Sequence, residues 1–444
     1  MDHDDPRITT TLETVKWDIL ADKARRLLQV KNATWGHHTW GAYNLVRFLH
    51  LDDTVIVARI PLEWKGTPIA VNRMKSEVAT MEYMKERTNI PIPHILEYST
   101  STENIGTPYI LMSKAEGVPL SSVWNDMEDE KRESVLKQVV NILLDLSEQR
   151  FDKMGSLFRG ETGWEIRSES EISEDALDTS TFADGLSYWI AFANAHLKRI
   201  RDQNFGKHAK EYEYAQAWFM RSVAPQLYDP ADDIGGLPLC PGDFHSQNIL
   251  VNDDLHITAI LDWEGSATSS IGTFAIYPFF IVDHPMWEDD DPLCARNVRD
   301  QATFNRLMRA AEGKRNPNGN LPLSIAFEGC QGRYLFEQAF QFPYMYSAVY
   351  PLLFAHIYGE DDEDSDVEGE KEETFSAKYY WALMEHGVLQ KLSRQFDQET
   401  KLLQNVRKVL GEEIVYQGID RAGFKEVVSK HLDRLSGLDL HDCH

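Results

Sequence analysis

The stretch 237–262, LPLCPGDFHSQNILVNDDLHITAILD, restricts the fold more than any other part of the chain. NILVN and HITAIL are short apolar runs rich in β-branched residues, and the turn residues NDDL join them as a hairpin. An antiparallel return sets the residue before the first strand beside the residue after the second, so Asp262 is expected near Asn248. Asp243 lies five residues ahead of Asn248, in the loop that enters the hairpin. The fold must therefore bury a small hairpin and leave one of its ends open. A carboxylate, a carboxamide and a second carboxylate form an oxygen-only donor set, which suits Mg²⁺ shared with phosphates. Phosphoryl transfer asks for little more from a protein: a positioned acceptor, neutralised phosphate charge and a held metal.

The sequence before and after this segment differs in character. Residues 11–31 read as a helical lead-in, 43–49 and 54–60 as strands, 72–88 as a helix, and HILEY and PYILM as two further strands. From residue 127 onward helical spacing dominates, near 127–150, 183–203, 211–228, 295–312, 326–358, 374–396, 399–411 and 421–436. The expected fold class is α+β and two-lobed. A small β-rich lobe spans 1–113, a hinge 114–118, and a large helical lobe 119–444 holds the hairpin. Residues 360–373 carry ten acids and one lysine, which reads as a disordered acidic insertion.

Several segments in order, VARIP, SEVATMEYMKERTNIPIPHILEY, GTPYILMSKAEGVPL, FDKMGSL and GDFHSQNILV with AILDWE, resemble the aminoglycoside phosphotransferase and choline kinase group, small-molecule relatives of the protein kinases. The resemblance covers about 35–280 and implies a kinase-like fold using ATP and Mg²⁺ to phosphorylate a hydroxyl, or less readily an amine, of a small molecule. It implies that Asp243 is the catalytic aspartate, and that Asn248 and Asp262 hold metal. His245 faces phosphate or is structural. Arg59 stands where a strand lysine binds phosphates, with Glu77 as its helix partner and Val57 lining the adenine pocket. Leu111, Met112, Ser113 and Ala115 form the adenine hinge, and Gly36 and Gly41 flank a turn over the phosphates. No GxxxxGK[ST] occurs, so a P-loop is excluded. One departure stands out. Pro241 replaces the histidine that usually braces the catalytic loop, which leaves a second reading open: a nucleotide- or partner-binding scaffold without turnover. A protein kinase is less favoured, because no APE-like anchor follows DWE.

Composition narrows the partners. A net charge of −26 argues against nucleic acid and anionic membranes and favours a cationic small molecule as acceptor. The longest apolar run, 274–282, is too short to span a bilayer. The acidic N-terminus and four cysteines without metal or disulfide spacing lead to the expectation of a cytoplasmic protein with reduced thiols. His37 and His38 are adjacent, so in a strand they point apart and make a poor metal pair. WEDDD at 287–291 reads as a solvated loop, HDCH at the end as a tail, and the aromatics of 334–358 as helix packing.

Overall fold

The computed structural model describes residues 5–172, 181–202, 207–282, 292–317, 319, 321–341, 349, 352–353 and 356–357. The chain forms two compact units, Met1–Ala191 with Pro225–Gln341, and Phe192–Ala224 with Phe342–His444.

The first unit opens with α1 (Pro6–Thr14) and α2 (Trp17–Leu28). A sheet follows, made of β1 (Ala33–Trp40), β2 (Asn44–Leu51), β3 (Val55–Pro61), then, after helix α3 (Pro68–Arg87), β4 (Ile95–Ser99) and β5 (Tyr109–Ser113). Its order is β1-β2-β3-β5-β4, and every neighbouring pair is antiparallel. The period of two along β3 decides what each face buries. Ile56, Ala58 and Ile60 join the core that α1 and α2 cover, with Leu20 and Ala24. Val57 joins the other core, with Met74 of α3 and Met112 of β5. The sequence places α3 at 72, where its methionine spacing begins. The helix starts earlier because the Thr67 hydroxyl accepts from the Ala70 N–H and Pro68 supplies a preset first turn.

The chain then becomes mainly helical, which makes the fold mixed α+β with a β-sheet region first. Its elements are β6 (Val118–Pro119), α4 (Asp129–Ser147), β7 (Arg150–Phe151), β8 (Ser156–Arg159), β9 (Trp164–Arg167), α5 (Gly185–Asp202) and α6 (Lys207–Leu227). After them come β10 (Leu237–Cys240), β11 (Ile249–Val251), β12 (Ile257–Ile260), β13 (Ala267–Thr268), α7 (Ile271–Phe274), α8 (Pro292–Arg315), α9 (Pro322–Glu328) and α10 (Gln331–Gln341). The apolar stripe of α4, Val135, Leu136, Val139 and Leu143, buries against Phe304 and Met308 of α8 in the core that also holds Ile249 and Ile260. This packing fixes the floor of the hairpin. Tyr334 and Leu335 are buried and Phe336 packs on Trp189 at 4.8 Å, so the described part of the aromatic run 334–358 is core.

In the second unit, described parts of α5 and α6 are joined by Arg221 Nε donating to Asn194 Oδ1 at 2.7 Å. The acidic stretch 360–373, WEDDD at 287–291, the helices expected at 374–396, 399–411 and 421–436, and the terminal HDCH lie outside the described residues. Among the described residues no helix is long and apolar enough to cross a membrane.

Candidate active site

The hairpin forms as its sequence requires. Ile249 pairs with Ile260 and Leu250 with Ala259, and the Leu261 N–H donates to the Asn248 carbonyl at 2.7 Å. Asn248 and Asp262 thus flank the same end. Asp262 adopts φ 55°, a left-handed conformation that is uncommon outside glycine and that Asp tolerates better than most residues. Trp263 is 1% exposed, with its indole N–H on the Ile260 carbonyl at 3.1 Å, while the acids on either side of it remain partly exposed. The entering loop presses on this second loop through its backbone. A Cβ on Gly242 would lie 2.2 Å from the Glu264 carbonyl oxygen, so only glycine permits the approach.

Within the entering loop, Asn248 Nδ2 donates to both the backbone and the side-chain oxygen of Asp243, each at 3.1 Å. This leaves the Asn248 carboxamide oxygen as the group available to a cation. His245 Nδ1 accepts from the Gln247 N–H at 3.1 Å, which puts the ring proton on Nε2, 3.1 Å from Asp243 Oδ2. The pair shifts both groups: the His245 hydrogen bond holds the Asp243 carboxyl below its usual range, and Asp243 raises the His245 imidazole. His245 therefore orients the carboxylate of Asp243. Pro241 has no side-chain hydrogen bond to offer, and the two loops are tied by Ser266, 1% exposed. Its hydroxyl accepts from the Gly242 N–H at 3.3 Å and donates to the Trp263 carbonyl at 2.8 Å, tying the two loops together.

Arg59 meets these loops from β3. Its guanidinium pairs with the buried Glu77 of α3, lies 3.3 Å from Glu264 Oε2 and 3.8 Å from Asp262 Oδ1, and bonds to the Asn44 amide oxygen at 2.9 Å when that amide is turned to face it. Burial works against the Arg59 charge, but Glu77, Asp262 and Glu264 together raise it above its ordinary value. Burial pushes the Glu77 carboxyl up to about 7 against the pull of Arg59. Breaking such a buried pair by removing one partner typically costs about 3–5 kcal/mol. A cavity of about 460 Å³ opens beside Arg59, lined in part by Tyr43, Asn44, Trp64, Arg73 and Glu264.

The structure thus brings together Arg59, Glu77 and Asp262, and separately ties Asp243, His245 and Asn248 to the Asp262 loop. Other expected residues sit differently. Residues 36–40 belong to β1, so the expected turn is confined to about 41–43. A Cβ on Gly36 would lie 2.5 Å from the ring of His50, an exposed side chain that can turn aside, so the strand accommodates glycine here without requiring it. Gly41 has open space beside it and sits at the turn itself. His37 stacks on Phe48 at 4.2 Å, as a strand residue should. Leu111 and Met112 are paired with β3 on one side and β4 on the other, and Leu111 faces the α1–α2 core. Their backbone groups belong to the sheet, and Ser113 is tied to His94, so open backbone begins near Lys114 and Ala115. Val57 faces the core shared with Met112 and Ile249. The sequence reading did not single out Arg73, Glu264, Asn44 or Ser266. Arg73 was discoverable, since it lies four residues before Glu77 on one helix face; nothing local marks Ser266.

The oxygen-only donors Asn248 and Asp262 fit Mg²⁺ in chemistry, with phosphates and water left to complete its shell. Among the described residues no three His, Cys, Asp or Glu side chains form a metal-holding group.

Comparison with known proteins agrees with this geometry. A model of a phosphotransferase enzyme family matches residues 37–272, more than half of the chain. A subtelomeric hrmA-associated cluster protein of Aspergillus fumigatus is 34% identical over 120 residues, covering 27% of this chain and 23% of that protein. Altered inheritance of mitochondria protein 9, mitochondrial, is 26% identical over 148 residues in Clavispora lusitaniae, covering 32% of this chain and 24% of the relative. Its Lodderomyces elongisporus counterpart is 30% identical over 131 residues, covering 28% and 21%. The matched part is thus about a quarter of the length of these relatives. The mitochondrial names of these proteins overturn the cytoplasmic location expected from the N-terminus. Among solved structures, a thermostable mutant of aminoglycoside phosphotransferase APH(4)-Ia with AMP-PNP and hygromycin B is similar at TM-score 0.45 and 14% identity, over 76% of this chain and 98% of that one. With the family model matching from β1 to α7 and so enclosing Arg59, Asp243, Asn248 and Asp262, the chain belongs to the phosphotransferase enzyme family.

Proposed function

We propose that the chain is an ATP- and Mg²⁺-dependent phosphotransferase that moves the γ-phosphate to a hydroxyl of a small molecule. The observation that carries this reading is the convergence of Arg59, 3.8 Å from Asp262, with a hairpin end that holds Asp243 against Asn248. Arg59, fixed by Glu77, would bind donor phosphates; Asn248 and Asp262 would hold the metal, which neutralises phosphate charge when bound. Asp243 stays ionised, because His245 lowers its pKa, and would orient the acceptor hydroxyl and take its proton late. The open backbone near Lys114 and Ala115 is the place for adenine, with Val57 and Met112 beneath it. Gly41 would lie over the phosphates, and the sheet-rich lobe 1–113, hinge 114–118 and helical lobe from 119 would close around the donor.

One similar structure is a complex with AMP-PNP and hygromycin B, and another is a complex with GDP and kanamycin, a nucleotide and a small molecule in each case. For this chain a nucleotide donor rests on Arg59 and the open end of the hairpin. The acidic charge of the chain leans toward a cationic acceptor and does not decide its class. The relatives' names make the mitochondrion the compartment in which to seek it. Calorimetric titration of AMP-PNP with and without Mg²⁺, on wild type and Asp262→Asn, tests the reading. Metal-dependent binding lost in the variant supports it, and an acceptor screen comparing wild type with Asp243→Asn follows. Binding without any transfer to an acceptor would favour the scaffold reading that Pro241 leaves open.

A further inference from the structure

Glu264 stands next to the metal loop, and its carboxylate is shared. Oε2 lies 3.3 Å from Arg59 Nη2 and Oε1 lies 3.7 Å from Arg73 Nη1. Two guanidiniums on different elements, β3 and α3, therefore face the two oxygens of one anion. Both are aimed from behind. Glu77 and Asn44 hold Arg59, and Arg73 Nε donates to the Ile172 carbonyl at 3.1 Å. The carboxylate itself is loosely seated, since charge-assisted bonds normally run about 2.7–2.9 Å. Arg73 is 43% exposed and Glu264 35%, and an ion pair that open to water contributes about 0–1 kcal/mol. The seat lies on the cavity of about 460 Å³, so an anion can reach it without unfolding anything.

We propose that Arg59 and Arg73 form a two-guanidinium phosphate seat which Glu264 occupies in the free protein. The donor's phosphates take the place of the Glu264 carboxylate, and Arg73 becomes a second phosphate-binding cation. A phosphate offers oxygens at a spacing like a carboxylate's but carries more charge and a third oxygen, so it outcompetes a loosely held side chain. Glu77 and Asp262 oppose the charges of Arg59 and Arg73, so once Glu264 turns away and Asp262 is engaged by the metal the seat is positive by about the charge of Arg73. The inference rests on the phosphotransferase reading, deepening its donor site.

The test titrates AMP-PNP with Mg²⁺, adenosine, and inorganic tripolyphosphate into wild type, Arg73→Met, Arg73→Lys, Glu264→Gln and the Arg73→Met/Glu264→Gln double variant, with thermal unfolding to confirm each fold. Arg73→Met is expected to weaken AMP-PNP about tenfold and leave adenosine unchanged, with Arg73→Lys between. Glu264→Gln is expected to tighten tripolyphosphate, by less when Arg73 is also replaced, because the competitor then has one partner fewer. Equal tightening in both backgrounds would show mere charge repulsion and overturn the displacement. Unchanged AMP-PNP affinity in Arg73→Met, with binding intact in wild type, would overturn the second cation and leave the nucleotide site standing. If wild type ignores AMP-PNP the phosphotransferase reading fails by itself. Tripolyphosphate then decides the seat: binding that Arg73→Met abolishes supports it, and no binding overturns it.

Discussion

Asp243 and His245 show how one hydrogen bond sets two charges. The raised imidazole contributes stability that is fully present below pH 6.5 and is lost as pH climbs through its folded value. The lowered carboxyl contributes stability present above pH 3.8 and lost as pH falls through its own folded value. The pair is thus worth most between those limits. Titration of the His245 ring by NMR in EDTA should give a midpoint above 6.5, and Asp243→Asn should bring it back down. A midpoint unmoved by that substitution would remove the pairing. A second residue-scale expectation concerns Gly242, whose Cα lies against the Glu264 carbonyl. Gly242→Ala must push the two loops apart, so Mg²⁺-dependent AMP-PNP binding should fall by about tenfold or more while far-UV circular dichroism is kept. The nearness of Asn248 and Asp262 was legible in the sequence because a hairpin returns the chain, whereas the roles expected of Asp243, Asn248 and Asp262 came with the ordered motifs of the resemblance. Ser266 was not legible, since its brace runs to residues whose proximity depends on the closed loops.

At the scale of elements, period and caps explain most of what the sequence disclosed. β3 and α3 were readable because apolar side chains alternate in the one and recur at helical spacing in the other. β1 was misread as a turn: its glycine and histidines carry no apolar alternation, and it exists because β2 supplies a partner edge with which it pairs from Ala33 to Trp40. The hairpin of β8 and β9 escaped notice because each strand is only four residues long, too short for a pattern to stand out. Long-range caps are likewise invisible in sequence. Glu312 of α8 is 7% exposed and accepts from the Leu323 and Ser324 N–H groups at 3.0 and 2.8 Å, so one helix closes the first turn of another. Glu312→Gln keeps the shape, but its amide nitrogen faces a donor and the charge is lost. The expected loss is about 1–3 kcal/mol, read as a lower midpoint in urea with an unchanged slope.

For the whole molecule, charge governs how a donor can arrive. The chain carries −26, and Glu77, Asp262 and Glu264 crowd the one guanidinium that β3 offers. Metal-free ATP should therefore bind at least about tenfold more weakly than its Mg²⁺ complex. Raising salt from about 50 to 300 mM should narrow the gap, because the repulsion is screened over about 6–14 Å. Equal affinity in EDTA and in Mg²⁺ would count against Asn248 and Asp262 as metal ligands. The sequence discloses the acidic excess. It could not foresee that the acids gather on Arg59, which depends on β3, α3 and the hairpin meeting.

The backbone contact between Gly242 and Glu264, with Ser266 as its tie, has a kinetic meaning. Loops joined that closely share their displacements, so under the proposed function a movement of Glu264 at the donor would be felt at Asp243, where the acceptor would sit. Substrates entering such a cleft are expected in sequence, nucleotide first, with the acceptor finding its aspartate set only after the donor has arrived.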